Sequence, residues 1–352
     1  MEIIDILKAG VEKGASDIHL VIGSRPMARI DGELIAFEAF PVISADESRR
    51  LIYTLLSDDQ KARFEQDWEL DFSIVIAQSA RFRANILQQK NGLEAVIRII
   101  ASTIPSPDEI LLPHAVTQLT DLTRGLVLVT GTTGSGKSTT LACLIDRINE
   151  KRRGHILTIE DPIEFVFENK NCVIRQREVG QQTKSFSAAL KHALRQDPDV
   201  VMIGELRDLE TISAALTVAE TGHLVFATLH TTDAAQTIDR IVDVFPAYQQ
   251  QQVRIQLSNV LKGVVAQTLV PRRSGKGRVA AREIMIVTPA ISNLIREGKT
   301  HQIYGAIDTG LRAGMISLDR ALMDLAKQGV ISKEEALAKA NRPELFQVSI
   351  AA

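Results

Sequence analysis

The run Gly131-Thr132-Thr133-Gly134-Ser135-Gly136-Lys137-Ser138 is suited to one task, the cradling of phosphate. Its glycines let successive backbone N–H groups curl around phosphate oxygens, and the helix N-terminus that follows adds positive partial charge. Lys137 would neutralise the outer phosphates and the Ser138 hydroxyl would reach Mg²⁺. Thr133, Gly134, Ser135, Gly136, Lys137, Ser138 and Thr139 are therefore expected to hold a nucleoside triphosphate. A chance glycine-rich turn would lack the flanks found here. The apolar run Leu126-Val127-Leu128-Val129 precedes the loop as a strand, and 139–149 follows it as a helix.

The run Asp199-Val200-Val201-Met202-Ile203-Gly204-Glu205 reads as a buried strand ending in a carboxylate. P-loop enzymes keep at that place the acid that works with Mg²⁺ and the attacking water. Glycine stands just before Glu205, where many P-loop proteins carry aspartate. Ser138 and waters are thus expected to ligate the ion directly, with Glu205 beside it. The plainer alternative makes Glu205 a helix N-terminal charge worth roughly half a kcal/mol. A second acidic cluster, Glu160-Asp161-Pro162-Ile163-Glu164, follows the strand-like run 156–159, and ligands collect at such carboxyl ends in open α/β sheets. For Asp161 alone, a turn that ends the strand is an equal reading. Carboxylates this crowded beside a phosphate site repel the ligand unless Mg²⁺ or a proton intervenes.

His223 and His230 bracket the apolar run 224–229. His230 leaves it at the carboxyl end, among Thr228, Thr231 and Thr232 and on the rim of Glu205, where contact with a γ-phosphate is expected. His223, at the opposite end, is expected to serve geometry or a neighbouring subunit. Arg81 and Arg83 lie two apart on a predicted strand, so they share a face with Asn85, and Arg98 sits on the next strand. Such a row can grip phosphate, but the pattern alone favours a solvated sheet face.

These groups need a scaffold. A helix is predicted over 2–13, with strands over 18–22, 27–30 and 34–37 and a tight turn at Asp31-Gly32. One helix near 45–66 and a meander of strands over 70–77, 81–88 and 93–100, with a second hairpin signal at Asn91-Gly92, complete an α+β domain. Two prolines in Ile104-Pro105-Ser106-Pro107-Asp108-Glu109 break both periodicities and mark a linker. Beyond it, strands over 126–130, 156–159, 200–203 and 224–228 alternate with helices, the signature of a parallel sheet covered on both faces. From about 290 the pattern is helical, with Ile291, Leu294 and Ile295 on one face and a capping box at Ser332 and Glu335.

Composition narrows the class. A chain of 352 residues with 41 Lys and Arg against 43 Asp and Glu shows no basic footprint for nucleic acid. Cys143 and Cys172 are the only cysteines, which excludes a disulfide framework and a four-cysteine zinc site made by one chain. The start, Met1-Glu2-Ile3-Ile4-Asp5-Ile6-Leu7-Lys8, reads as an amphipathic helix rather than a signal peptide. No run approaches the roughly 18 uncharged residues of a membrane span. A cytoplasmic protein that meets the membrane through partners is expected.

The motifs together closely resemble those of the PilT-type retraction ATPases of bacterial type IV pili, within the secretion ATPase superfamily. The likeness covers nearly the whole chain. It is carried by the phosphate loop, by Ile159-Glu160-Asp161-Pro162-Ile163-Glu164-Phe165, by Arg195-Gln196-Asp197-Pro198-Asp199 through Gly204-Glu205-Leu206-Arg207-Asp208, and by Thr221-Gly222-His223-Leu224 to Thr228-Leu229-His230-Thr231. The resemblance implies a PAS-like α+β domain over 1–103, a linker over 104–113, a RecA-like ATPase domain with a mostly parallel sheet over 114–289, and C-terminal helices over 290–352. It implies a homo-hexamer that binds ATP and Mg²⁺ between domains. Arg81, Arg83 and Arg98 are then the arginines that reach the nucleotide, Glu205 the general base or water-orienting acid, Glu164 a second essential acid and His230 a γ-phosphate contact. The implied partners are an inner-membrane pilus platform protein and a paralogous retraction ATPase, with no nucleic acid. Assembly ATPases of the superfamily usually carry a tetracysteine zinc module that this chain cannot build, which favours retraction. Ala290-Ile291-Ser292-Asn293-Leu294-Ile295-Arg296-Glu297 resembles the retraction helix motif, with Ser292 where the family commonly has Arg. Two rivals remain at this level: a secretion or DNA-transfer ATPase with another cargo, and a weakly hydrolysing accessory subunit.

Overall fold

The computed structural model describes every residue except Asp31, 77–79, 101–102, 344–345 and 347–352. The chain separates into two compact units, Met1–Thr103 and Ile104–Ala352. In the first, helix α1 (Ile3–Glu12) buries Ile3, Ile6, Leu7 and Gly10 along one side. Strands β1 (Asp17–Leu20), β2 (Met27–Ile30) and β3 (Glu33–Ala36) follow, then helices α2 (Ala45–Tyr53) and α3 (Asp58–Asp67). Strands β4 (Glu69–Ile76), β5 (Ala80–Gln89) and β6 (Gly92–Ile100) complete an antiparallel sheet ordered β3-β2-β1-β6-β5-β4. Period two decides its faces. Phe82, Ala84 and Ile86 on β5 and Leu93, Ala95 and Ile97 on β6 are buried, while Arg81, Arg83 and Asn85 alternate with them.

The single helix expected over 45–66 is two helices. Ser57 starts α3 through a reciprocal capping box with Gln60, and that start signal lies inside a run whose polarity hides it. The Asn91-Gly92 signal marks a real hairpin, with Gln89 paired to Gly92. Of the other predicted turn, Asp31 lies outside the described residues, and Ile30 pairs with Glu33 across it.

The second unit begins with α4 (His114–Gln118), β7 (Gly125–Thr130), α5 (Lys137–Lys151), β8 (His155–Glu160), β9 (Val173–Glu178) and α6 (Phe186–Ala193). Strand β10 (Val200–Ile203), α7 (Leu209–Glu220), β11 (Leu224–Leu229), α8 (Ala234–Asp243) and α9 (Ala247–Val260) continue it. The hairpin β12 (Leu261–Pro271) and β13 (Arg278–Ile286) precedes α10 (Pro289–Arg296), α11 (Ile303–Thr309), α12 (Leu318–Lys327) and α13 (Lys333–Lys339). The sheet order is β13-β12-β7-β11-β10-β8-β9, and every pairing is parallel except β12 with β13. Both faces are covered, as continuous apolar runs require. On β7, Leu126 and Leu128 join the core that holds α7 and α9, whereas Val127 and Val129 join the core under α5. The α/β class with a mostly parallel sheet is as expected. Edge strand β9 and the hairpin β12–β13 are additions to it.

Among the C-terminal helices, Ile291 and Ile295 are buried with Leu294 packed beside them. Ser332 caps α13 by accepting from the Glu335 amide, so only that half of the predicted capping box forms. Ser292 turns inward, its hydroxyl donating to the Ser258 carbonyl of α9 at 2.7 Å. The buried Arg282 of β13 donates to the carbonyls of Ile110 and Leu111 at 3.1–3.2 Å, which ties that proline-rich segment to the sheet.

Candidate active site

Strands β7, β8, β10 and β11 run parallel, so their carboxyl ends make one rim. The loop after β7, Glu160 at the end of β8, Glu205 just after β10 and His230 just after β11 all leave from it. The loop is built on close approach. Gly131 has φ +141°, and a Cβ there would lie 2.3 Å from the Gln267 carbonyl oxygen. Gly136, at φ +87°, is the N-cap of α5, which starts at Lys137 rather than near Thr139. Thr133 and Gly134 form the exposed tip, while Ser138 and Thr139 occupy the first turn of the helix. The Ser135 hydroxyl is buried with no hydrogen-bond partner among the described residues, a donor and acceptor available to a ligand.

Lys137 Nζ is curled back onto the carbonyls of Gly131 at 2.8 Å and Thr132 at 3.1 Å. Burial holds its ammonium below the ordinary lysine range, against the opposing charges of Glu205 and Glu164. Those three groups therefore share one electrostatic neighbourhood. Both oxygens of Glu205 are engaged: Oε2 with Arg207 at 2.8 Å and Oε1 with His230 Nε2 at 3.2 Å. Burial works against the charge on Glu205, but the Arg207 hydrogen bond and the neighbouring charges outweigh it and hold the carboxyl below its usual range. Glu205 is thus ionised, as a water-orienting acid must be. The Thr228 hydroxyl donates to the Gly204 carbonyl at 2.5 Å and fixes the turn that presents Glu205. His223, at the other end of β11, contacts the Val218 carbonyl and Thr221 at 3.1 Å, a local structural role.

The acidic cluster divides. Glu164 is exposed, whereas Glu160 is 5% exposed and accepts from Thr158 at 2.6 Å, Gln176 at 3.2 Å and the Glu164 amide at 3.4 Å. Burial pushes the Glu160 carboxyl up to about 7 against those bonds. Its work is to hold the turn that carries Glu164. Glu283 on β13, accepting from the Ala234 amide at 2.9 Å, is likewise pushed by burial to about 7. Both folded-state values lie above the ordinary 4.5, so the native chain binds more protons than the unfolded chain between 4.5 and about 7. The stability this contributes is complete below 4.5 and lost as pH rises through about 7. We therefore expect the thermal midpoint of the nucleotide-free protein to fall across that window. Glu283→Gln, which keeps the acceptor for Ala234, should flatten the fall, and an unchanged slope in calorimetry would contradict the assignment.

The arginine row is formed. Arg83 faces Arg98 across β5 and β6, and Arg98 donates to Asp17 Oδ1 at 2.9 Å. All three guanidinium-bearing residues sit on the partly solvated face of their own unit. Three residues escaped sequence reasoning. Arg207, an ion pair to Glu205, had no periodic signal. Gln176 on β9 bonds Glu160, the Phe165 carbonyl and the Phe167 amide. Gln267 on β12 touches both the phosphate loop and α5. Among the described residues no three His, Cys, Asp or Glu side chains converge on a metal position. The donor set at the rim fits a cation shared between the Ser138 hydroxyl and substrate phosphate.

A mostly parallel sheet with a phosphate loop after one strand, a histidine after the next and an ionised acid after the one beyond it, defines a P-loop nucleoside triphosphatase. The family model described as type II/IV secretion system protein matches residues 2–338, and the chain belongs to that family. The type IV pilus retraction ATPase PilT of Pseudomonas aeruginosa is 51% identical over 346 residues, spanning 98% of this chain and all of that protein. A twitching motility protein of Neisseria gonorrhoeae is 46% identical over 342 residues, 97% of this chain and 91% of that one. A crystal structure of the pilus retraction motor PilT with bound ADP matches with a TM-score of 0.93 at 45% identity, over 99% of each chain. The resemblance read from the motifs is thereby established over nearly the whole chain.

Proposed function

We propose that this chain is an ATP-hydrolysing motor that powers the retraction of type IV pili and so twitching motility. The observation that carries the proposal is the rim itself, with Lys137, Glu205 and His230 gathered on a chain alike to a retraction ATPase over 98% of its length. In this reading the backbone amides of residues 133–139 and the Lys137 ammonium hold the phosphates. Ser138, with Glu205 nearby, would hold Mg²⁺, which would supply charge neutralisation. Glu205 orients a water and takes its proton. The water oxygen bonds to the γ-phosphorus as the bond to the bridging oxygen breaks, releasing ADP and phosphate. His230, joined to Glu205, reads the γ-phosphate, and Glu164 is the second acid.

The same reading assigns Arg81, Arg83 and Arg98 to stabilising charge on the transferred phosphate, a role worth about 10³–10⁵ in rate where it operates. It makes the working form a homo-hexamer with the domain limits expected from sequence, the prolines of 104–113 allowing the motion that nucleotide exchange drives. No helix among the described residues is long and apolar enough to cross a membrane. Attachment at the cytoplasmic face of the inner membrane is then made through a platform protein, with a paralogous ATPase as a further partner. Deleting the gene and following labelled pili checks the proposal. Pili should extend yet never shorten, and shortening at the undisturbed rate would overturn it.

A further inference from the structure

Gln267 has no place in the chemistry just described, yet it lies under the phosphate loop. It sits within β12 and is 4% exposed. Its carboxamide bridges two parts of the nucleotide site: Nε2 donates to the Ser135 carbonyl at 2.7 Å, and Oε1 accepts from the Thr140 hydroxyl at 2.9 Å. Its own backbone carbonyl sets the close approach at Gly131, and its Nε2 would lie 3.2 Å from a Cβ at Gly136. One residue of a strand 127 positions away from Thr140 thus floors the loop from end to end.

We infer that Gln267 is a positioning residue for nucleotide, one that aims the Gly136 amide at phosphate by holding the Ser135 carbonyl. The inference rests on the reading of this loop as a nucleotide site. In a planar trans peptide the carbonyl of one residue and the N–H of the next point to opposite sides. With the Ser135 carbonyl tied down to Gln267, the Gly136 N–H is directed away from the floor, toward the mouth of the loop. The Ser135 carbonyl decides which end of the carboxamide faces it: a carbonyl can only accept, so it takes Nε2, and Oε1 is left pointing at α5, where the Thr140 hydroxyl donates to it. Two bonds therefore fix one orientation. Without them the peptide between Ser135 and Gly136 is free to rotate, and the orientation must be restored each time nucleotide binds.

The test is equilibrium titration with ADP, together with steady-state ATP kinetics, on the intact purified protein. Gln267→Met keeps the length and removes both bonds. Gln267→Glu keeps the acceptor for Thr140 but cannot donate to Ser135 while ionised. Thr140→Val removes only the bond to Oε1. The two Gln267 variants are expected to weaken ADP binding and raise KM by about tenfold or more, with kcat changed by no more than about twofold. Thr140→Val should move the same quantities in the same direction by less, and adding it to Gln267→Met should have little further effect. Val265→Ala, a buried neighbour on the same strand that removes neither bond, controls for loss of packing. ADP binding by the Gln267 variants within about twofold of the unaltered protein would overturn the inference, as would a matching loss in Val265→Ala at equal thermal midpoint. Failure of the unaltered protein to bind ADP would instead remove the nucleotide reading beneath it.

Discussion

Replacing Lys137 with alanine is expected to lower ATP turnover by about 10²–10³-fold or more, with binding of ATP weakened in parallel. The ammonium is the only cation of the phosphate loop, and it is already curled over the loop by the Gly131 and Thr132 carbonyls. It meets no carboxylate directly among the described residues, so its charge is free to be used by the substrate. The same fact predicts a small effect on folding. Removing a cation that burial disfavours offsets the loss of two hydrogen bonds to carbonyls. A malachite-green phosphate assay beside a thermal melt separates the two quantities. Normal turnover in Lys137→Ala would remove the loop from the mechanism.

Glu205→Gln should behave differently, with ATP still bound and turnover reduced by about 10²–10⁴-fold. Glutamine keeps the size of the side chain: its one carbonyl oxygen can still accept from Arg207, and its amide can donate to Nε2 of a neutral His230, so the rim stays assembled. What disappears is the negative charge that the proposed mechanism uses to orient the water and receive its proton. That charge is secure in the native protein because Arg207 and His230 hold the carboxyl ionised against its burial. Removing a carboxylate near phosphate also relieves repulsion, so ATP affinity should hold or rise. A parallel loss of binding and turnover would point to a structural role for Glu205.

The central strands were readable because parallel strands buried on both faces are unbroken apolar runs, as at Val200–Ile203 and Leu224–Leu229. The loop was readable because its glycines and Lys137 have fixed spacing. Edge strand β9 was not, since Val173 and Arg175 on it are exposed and its pattern is that of a polar connection. Strand β12 follows α9 without a turn residue between them, so helical and extended apolar runs merge in the sequence. Ser57 hid a second helix start inside one polar stretch. The contacts of Gln267 with the loop and α5 depend on neighbours brought together by the sheet, and nothing local in the chain announces them. Ser292 was legible only as a departure from a pattern. Its hydrogen bond to Ser258 shows that the position packs against α9.

Time-lapse imaging of labelled pili in cells whose only copy carries Glu205→Gln links the site to the motion most directly. The account predicts pili that extend at the usual frequency and do not shorten, from a protein that still binds ATP. Shortening at the frequency of unaltered cells would contradict the claim that hydrolysis at this rim drives retraction.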